Sequence, residues 1–194
     1  MDILFVTSNL HKLKEAQEIL GDGFNLTIPS QMGITEDIPE DGQTLEQNAV
    51  FKAGYVHKAN GMDCFADDTG LEAEALGGAP GVYSARYAGP ECNSLDNMHK
   101  LLKELEGQKN RKARFRCIVA LILENRTYTF EGILNGTILE QQTGNGGFGY
   151  DPVFLPDGYT KTLAELAPEE KNLISHRGIA MRKLSEFLKK HHQK

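Results

Sequence analysis

Asp67 and Asp68 set two carboxylates side by side, behind the small or apolar Cys64, Phe65 and Ala66 and ahead of Thr69 and Gly70. The first three residues read as a buried strand, and Thr69 with Gly70 as a turn signal. Two negative charges against apolar residues are costly unless a cation or a hydrogen-bond network answers them. A pair so answered is where this chain could do carboxylate chemistry. In a continuing strand the two would point to opposite faces, whereas at a strand end the chain can bend and both can serve one site. With no answering group the stretch is only a solvated acidic junction.

Candidate answering groups lie elsewhere in the chain. Thr7, Ser8 and Asn9 follow a short apolar strand and precede a helix. Unpaired N–H groups at such a helix start make a ready anion site, and Lys12 in the first turn could add charge to a bound phosphate. An ordinary cap with a surface lysine has the same sequence. Asn48 and Lys52 share one face of a second helix, which looks either toward the carboxylates or into solvent. Gly144, Gly146 and Gly149 match the glycine spacing of dinucleotide-binding turns, but no helix follows and no Gly-Lys-Ser/Thr closes a P-loop. That stretch is instead backbone able to approach a ligand closely, bearing Phe148, Tyr150 and Asp151. His176 and Arg177 open the last helix, a poor place for cations unless an anion answers them.

The elements that must position these groups follow from periodicity. Residues 3–6 form a buried strand, and Leu10, Leu13, Ala16, Ile19 and Leu20 make the apolar stripe of a helix capped by Ser8 or Asn9 and ended by Gly21. A loop over 29–42 holds Glu36, Asp37, Glu40 and Asp41. Thr44 and Gln47 form a capping-box pair for a helix running to about Lys58, with Leu45, Ala49, Ala53 and Val56 buried. The alternation over 71–76 predicts a strand that hairpins back through Thr69 and Gly70. Ser94 is the expected cap of a helix burying Leu95, Met98, Leu101, Leu102 and Leu105. Residues 115–123, apolar on both faces, read as a central strand, turning at 124–126 into strands over 127–130 and 132–139, antiparallel because the connection is short. A strand over 153–155, short helical turns at Thr162 and Pro168, and a helix from 175–177 to about Lys190 complete the chain.

At 194 residues the chain makes one domain or two small lobes sharing a sheet. The three cysteines, Cys64, Cys92 and Cys117, are odd in number and far apart, as core thiols of a reducing compartment would be. No apolar run is long enough to span a membrane and no signal-peptide pattern opens the chain, which predicts a cytoplasmic protein. The formal net charge of -6 argues against general binding to polymeric nucleic acid but leaves room for a small anion in a locally basic pocket.

Taken in order, Thr7-Ser8-Asn9 with Lys12, Asp67 to Gly70, Gly77 to Gly81 with Ser84, Ala85, Arg86 and Tyr87, Gly147 to Pro152, and Lys171 with Ser175, His176 and Arg177 resemble one family over essentially the whole chain. It is the inosine triphosphate pyrophosphatase, or Ham1-like, family. The resemblance implies hydrolysis of ITP, dITP, XTP and dXTP to monophosphate and pyrophosphate with Mg²⁺. It also implies a single domain over 1–194, with an α/β fold of two lobes around a long mixed sheet flanked by helices, a cleft between the lobes, and a homodimer. Residue by residue it implies that Thr7, Ser8, Asn9 and Lys12 bind phosphate, that Asp68 accepts the proton, and that Lys52 faces the phosphates. Glu40, Asp68 and the neighbouring Asp67 would meet the metal, and Thr69 the substrate. Phe148, Gly149, Tyr150, Asp151, Lys171, His176 and Arg177 would form the base and sugar pocket. Thr69 stands where serine is commoner, which keeps the hydroxyl, and Gln47 where many members carry glutamate. A haloacid-dehalogenase phosphatase would need Asp-x-Asp after its first strand, which Asp67-Asp68 is not. A nucleotide sensor without turnover would not need an intact Asp68 and Glu40.

Overall fold

The computed structural model describes residues 1–34, 36 and 38–192 (for His192 the backbone alone), so the expected loop position of Asp37 lies outside the described residues. The fold is mixed α/β, with a six-stranded sheet in the order β2-β1-β3-β4-β5-β6 and flanking helices. The strands are β1 (Asp2–Val6), β2 (Asn25–Thr27), β3 (Cys64–Ala73), β4 (Lys112–Leu123), β5 (Arg126–Ile138) and β6 (Phe154–Pro156). The helices are α1 (Leu10–Leu20), α2 (Leu45–Asn60), α3 (Ser94–Glu104), α4 (Pro168–Ile174) and α5 (His176–His192). β1 pairs in parallel with both β2 and β3, while β5 and β6 are antiparallel. Two compact units divide the chain: Met1–Asp68, Cys117–Gly132 and Arg177–Lys194 make the first, Thr69–Arg116 and Ile133–His176 the second.

In the first unit the period-two alternation of β1 and β3 sorts side chains onto two faces. Ile3, Phe5 and Phe65 join Ala16 and Leu20 of α1 and Ala180, Leu184 and Leu188 of α5 in one core. The Phe5 and Phe65 rings stack there at 4.5 Å. The other face carries Leu4, Cys64 and Ala66, all buried, and the Cys64 thiol donates to the Ala53 carbonyl of α2 at 3.3 Å. The second unit has its own core, in which Leu71 and Ala73 meet Met98 and Leu101 of α3, Leu105 just after it, and Phe115 and Phe154 of β4 and β6.

Four sequence expectations change. β3 runs unbroken for ten residues, so Thr69 and Gly70 do not turn, and the expected strand over 71–76 ends at Ala73 in a 3-10 turn (Glu74–Leu76). The sheet order places β3 between two neighbours, and pairing on both sides outweighs a local glycine signal. β5 is likewise one strand of thirteen residues where two were expected. Glu124 and Asn125, at φ 51° and 61°, make the two-residue turn before it, a backbone form that suits hairpins. Asn93, not Ser94, caps α3, its side chain accepting from the Leu95 and Asp96 amides. Leu10 and Leu95, assigned to buried stripes, are 68% and 50% exposed, because each sits in the first turn of its helix, beyond the core. β2, which sequence reading passed over, is three residues long and too short to show an alternation.

Candidate active site

Because β3 continues straight, its two carboxylates face opposite ways, and both lie in the first unit. Asp67 points to the α1 and α5 side. Its Oδ1 accepts from Lys12 Nζ at 2.9 Å and its Oδ2 from Arg177 Nε at 3.3 Å, while Cys117 Sγ lies 3.9 Å away. Arg177 also donates through Nη1 to Glu15 of α1. Burial by itself would raise the Asp67 carboxyl, but Lys12 and Arg177 hold it well below the usual carboxylate range. Arg177 is only 2% exposed, and although burial disfavours its charge, Asp67 and Glu15 keep it protonated. The anion that answers the cation at the start of α5 therefore includes the protein's own carboxylates.

Asp68 points toward α2. Its Oδ2 accepts from Asn48 Nδ2 at 3.1 Å and its Oδ1 from Lys52 Nζ at 3.3 Å. Lys52 donates to Glu40 Oε1 as well, at 2.6 Å, so Glu40 and Asp68 converge on one ammonium. Burial pushes the Asp68 carboxyl up, against the opposing pull of Lys52 and Lys12. Burial would lower Lys52, yet Asp68, Glu40 and Asp67 together raise it. The helix that presents Asn48 and Lys52 starts at Thr44, whose side chain accepts from the Gln47 amide at 3.1 Å. Gln47 reaches back to the Gln43 amide at 2.8 Å, one residue beyond the position a capping box uses.

The three expected metal ligands are not brought together: Glu40 and Asp68 share the α2 side, and Asp67 faces away. Among the described residues no three His, Cys, Asp or Glu side chains gather as a metal group. The first loop is organised largely by its own side chains. Asn9 Oδ1 accepts from the His11 and Lys12 amides at 2.9 and 3.2 Å, and the Asn9 amide donates to Thr7 Oγ1 at 3.1 Å. Asn9, rather than Ser8, is thus the cap, and Ser8 is exposed.

The second unit holds the aromatic stretch. Asp151 Oδ2 accepts from the Phe148 amide at 2.9 Å and from Lys171 Nζ at 2.7 Å, and the same Nζ lies 5.0 Å from the centre of the Phe148 ring. Gly147 has φ 70°, and a Cβ on it would fall onto the Asp151 carboxylate, so glycine is required on both counts. Phe148 and Gly149 are partly exposed, whereas Tyr150 is buried with its hydroxyl donating to the Ser84 carbonyl at 2.8 Å. His176 is buried and stacked on Phe115 at 4.6 Å, and Thr69 is half-buried. Of the expected base-pocket residues, Phe148, Asp151 and Lys171 form one cluster, while Arg177 belongs to the Asp67 network of the first unit.

Sequence reading missed Glu15 and Gly42. Glu15 stands three residues after Lys12 on one helix face, a spacing that could have flagged it. Gly42 gives no signal beyond being one of several glycines beside a loop.

The model of the Ham1 family matches residues 3–187. A dITP/XTP pyrophosphatase of Flavobacterium johnsoniae is 50% identical over 188 residues, covering 97% of this chain and 98% of that protein. One from Bacillus subtilis is 46% identical over 191 residues, covering 96% of each chain. The Ham1 protein of Staphylococcus aureus superposes with a TM-score of 0.90 at 36% identity, over 98% of this chain and 100% of that one. A match spanning both units and every motif named above leaves one assignment: the chain belongs to the Ham1 family.

Proposed function

We propose that this chain is a Mg²⁺-dependent pyrophosphohydrolase of deaminated purine nucleoside triphosphates. It would convert dITP, ITP, XTP and dXTP to the monophosphate and pyrophosphate and so cleanse the nucleotide pool. The observation that carries this reading is the cluster in which the half-buried Glu40 and the buried Asp68 meet Lys52. Relatives at 46–50% identity that are named dITP/XTP pyrophosphatases support it. The same reading makes the protein a cytoplasmic homodimer, and no described helix is long and apolar enough to cross a membrane.

The donor set suits Mg²⁺, which takes one or two carboxylates and fills its remaining positions with water and phosphate oxygens. Glu40 and Asp68 are the residues that would hold it. A cation bound there supplies positive charge against the phosphates and makes water a better nucleophile. Asp68, its carboxyl raised by burial, accepts the proton of the water attacking the α-phosphorus. A triphosphate brings roughly four negative charges, and Lys12 and Lys52 offset part of them. Lys171 and His176 are donors for the C6 oxygen of the base. Phe148, with Lys171 already near its ring, is the ring offered for stacking. Adenine carries an amine at C6 and would leave such donors unpaired, a mismatch that discriminates strongly.

Steady-state hydrolysis of a nucleotide panel tests the proposal. ITP and XTP should be turned over well above GTP, with ATP and pyrimidine triphosphates lowest. Equal rates on ITP and ATP would contradict it.

A further inference from the structure

Asn48 sits in the first turns of α2 at 1% exposure, although asparagine is a poor helix former and a buried amide is costly without partners. It has two. The Gly42 amide donates to Asn48 Oδ1 at 2.8 Å, and Asn48 Nδ2 donates to Asp68 Oδ2 at 3.1 Å. The backbone N–H can only donate and an ionised carboxylate can only accept, so the two partners force this orientation of the amide. A carboxamide supplies that acceptor and that donor from two atoms of one planar group. Aspartate would place a second carboxylate against Asp68, alanine supplies neither function, and glutamine is a methylene too long.

Gly42 is matched to the arrangement by space. A Cβ there would lie 2.5 Å from Asn48 Oδ1 and 3.0 Å from Gln47 Cβ. Two residues before Gly42 stands Glu40, whose carboxylate meets Lys52 together with Asp68 Oδ1. One buried amide thus fastens the Glu40 loop to the β3 carboxylate. It also engages Asp68 Oδ2, so that Oδ1 is the oxygen turned to Lys52.

We propose that Asn48, seated against Gly42, is a positioning residue that sets the separation and orientation of the Glu40 and Asp68 carboxylates. This rests on the reading of those two residues given under Proposed function. Residues that orient metal-binding carboxylates typically cost 10–100-fold in metal affinity or activity when removed.

The test compares Asn48→Ala, Asn48→Asp and Gly42→Ala with the unaltered protein. It measures kcat and KM for dITP, Mg²⁺ binding by calorimetry without nucleotide, and exchange of the Gly42 amide proton. Asn48→Ala should lower kcat about 10-fold or more, weaken Mg²⁺ binding comparably and deprotect Gly42, with KM within about 3-fold. Asn48→Asp keeps the acceptor, so Gly42 stays protected while kcat still falls. Gly42→Ala, outside the helix, should lower kcat with Asn48 intact, and it decides the matter if the Asn48 variants do not fold. A folded Asn48→Ala with unaltered kcat and Mg²⁺ binding overturns the inference, as does an unaltered Gly42→Ala. Asp68→Asn in the same assay separates the two levels. If it is inactive while Asn48→Ala is fully active, only this inference fails; if it is fully active, the reading of the site fails.

Discussion

Asp67 and Asp68 are chain neighbours with similar exposure, 1% and 7%, yet their surroundings push them in opposite directions. On one face of β3, Asp67 is clamped by a lysine and an arginine and held well below the usual carboxylate range. On the other, Asp68 forms an ion pair with one lysine, which it shares with Glu40, and burial raises it. A carboxylate fully neutralised by fixed cations has little left to offer a metal or a proton. The shared and raised one does. Burial of a charged pair therefore does not mark the site; the ratio of cations to carboxylates on each face does. By this measure Asp67 ties α1 to α5 electrostatically, and Asp68 is the acid on which the proposed mechanism draws.

The comparison is broken most directly by neutralising each acid in turn. Asp68→Asn should lower turnover at least ~100-fold, because a proton acceptor and a metal-binding carboxylate go together. Urea unfolding should show the variant still cooperatively folded. Asp67→Asn should act chiefly on stability. It leaves the buried Arg177 and the half-buried Lys12 against a neutral amide, and breaking a buried ion pair from one side costs about 3–5 kcal/mol. An Asp67→Asn protein as stable as its parent would remove the distinction between the faces.

Lys52 sharpens the same contrast. Its ammonium occupies the oxygens that a cation would use, at 2.6 Å from Glu40 and 3.3 Å from Asp68. Lys52→Ala should bind Mg²⁺ several-fold more tightly in calorimetry without nucleotide, since a competing charge is gone, while kcat falls. Weaker binding would mean that Glu40 and Asp68 are not the metal pair. The smallest effect concerns thiols. Cys117 lies on the sealed Asp67 face, and burial, with Asp63 nearby, pushes the Cys64 thiol up to about 12. A disulfide reagent should find one fast thiol in the native protein, the exposed Cys92, and all three in denaturant.

Much of this was legible in the sequence, for identifiable reasons. The strand-then-helix opening, the α2 face bearing Asn48 and Lys52, and the last helix are periodic, and periodicity is local. The opposite orientation of Asp67 and Asp68 follows from strand geometry, but only once β3 is known to continue. That continuation depends on neighbours in the sheet, which Thr69 and Gly70 do not encode. The place of Arg177 at a helix start says that it needs an anion. Glu15 and Asp67 lie 162 and 110 positions away in the chain, however, and no local signal names them. The glycine stretch fits neither nucleotide motif, and a 3-10 turn and β6 follow it, while the hold of Asp151 on Phe148 and Lys171 emerges only from packing.

In the proposed reaction Asp68 directs water to the α-phosphorus of a deaminated purine triphosphate. Chromatography of the products formed from dITP with Mg²⁺ tests it most directly. The expected products are dIMP and pyrophosphate from the first turnover, with no dIDP at any time. Accumulation of dIDP with orthophosphate would place the cleaved bond at the γ-phosphorus and contradict it.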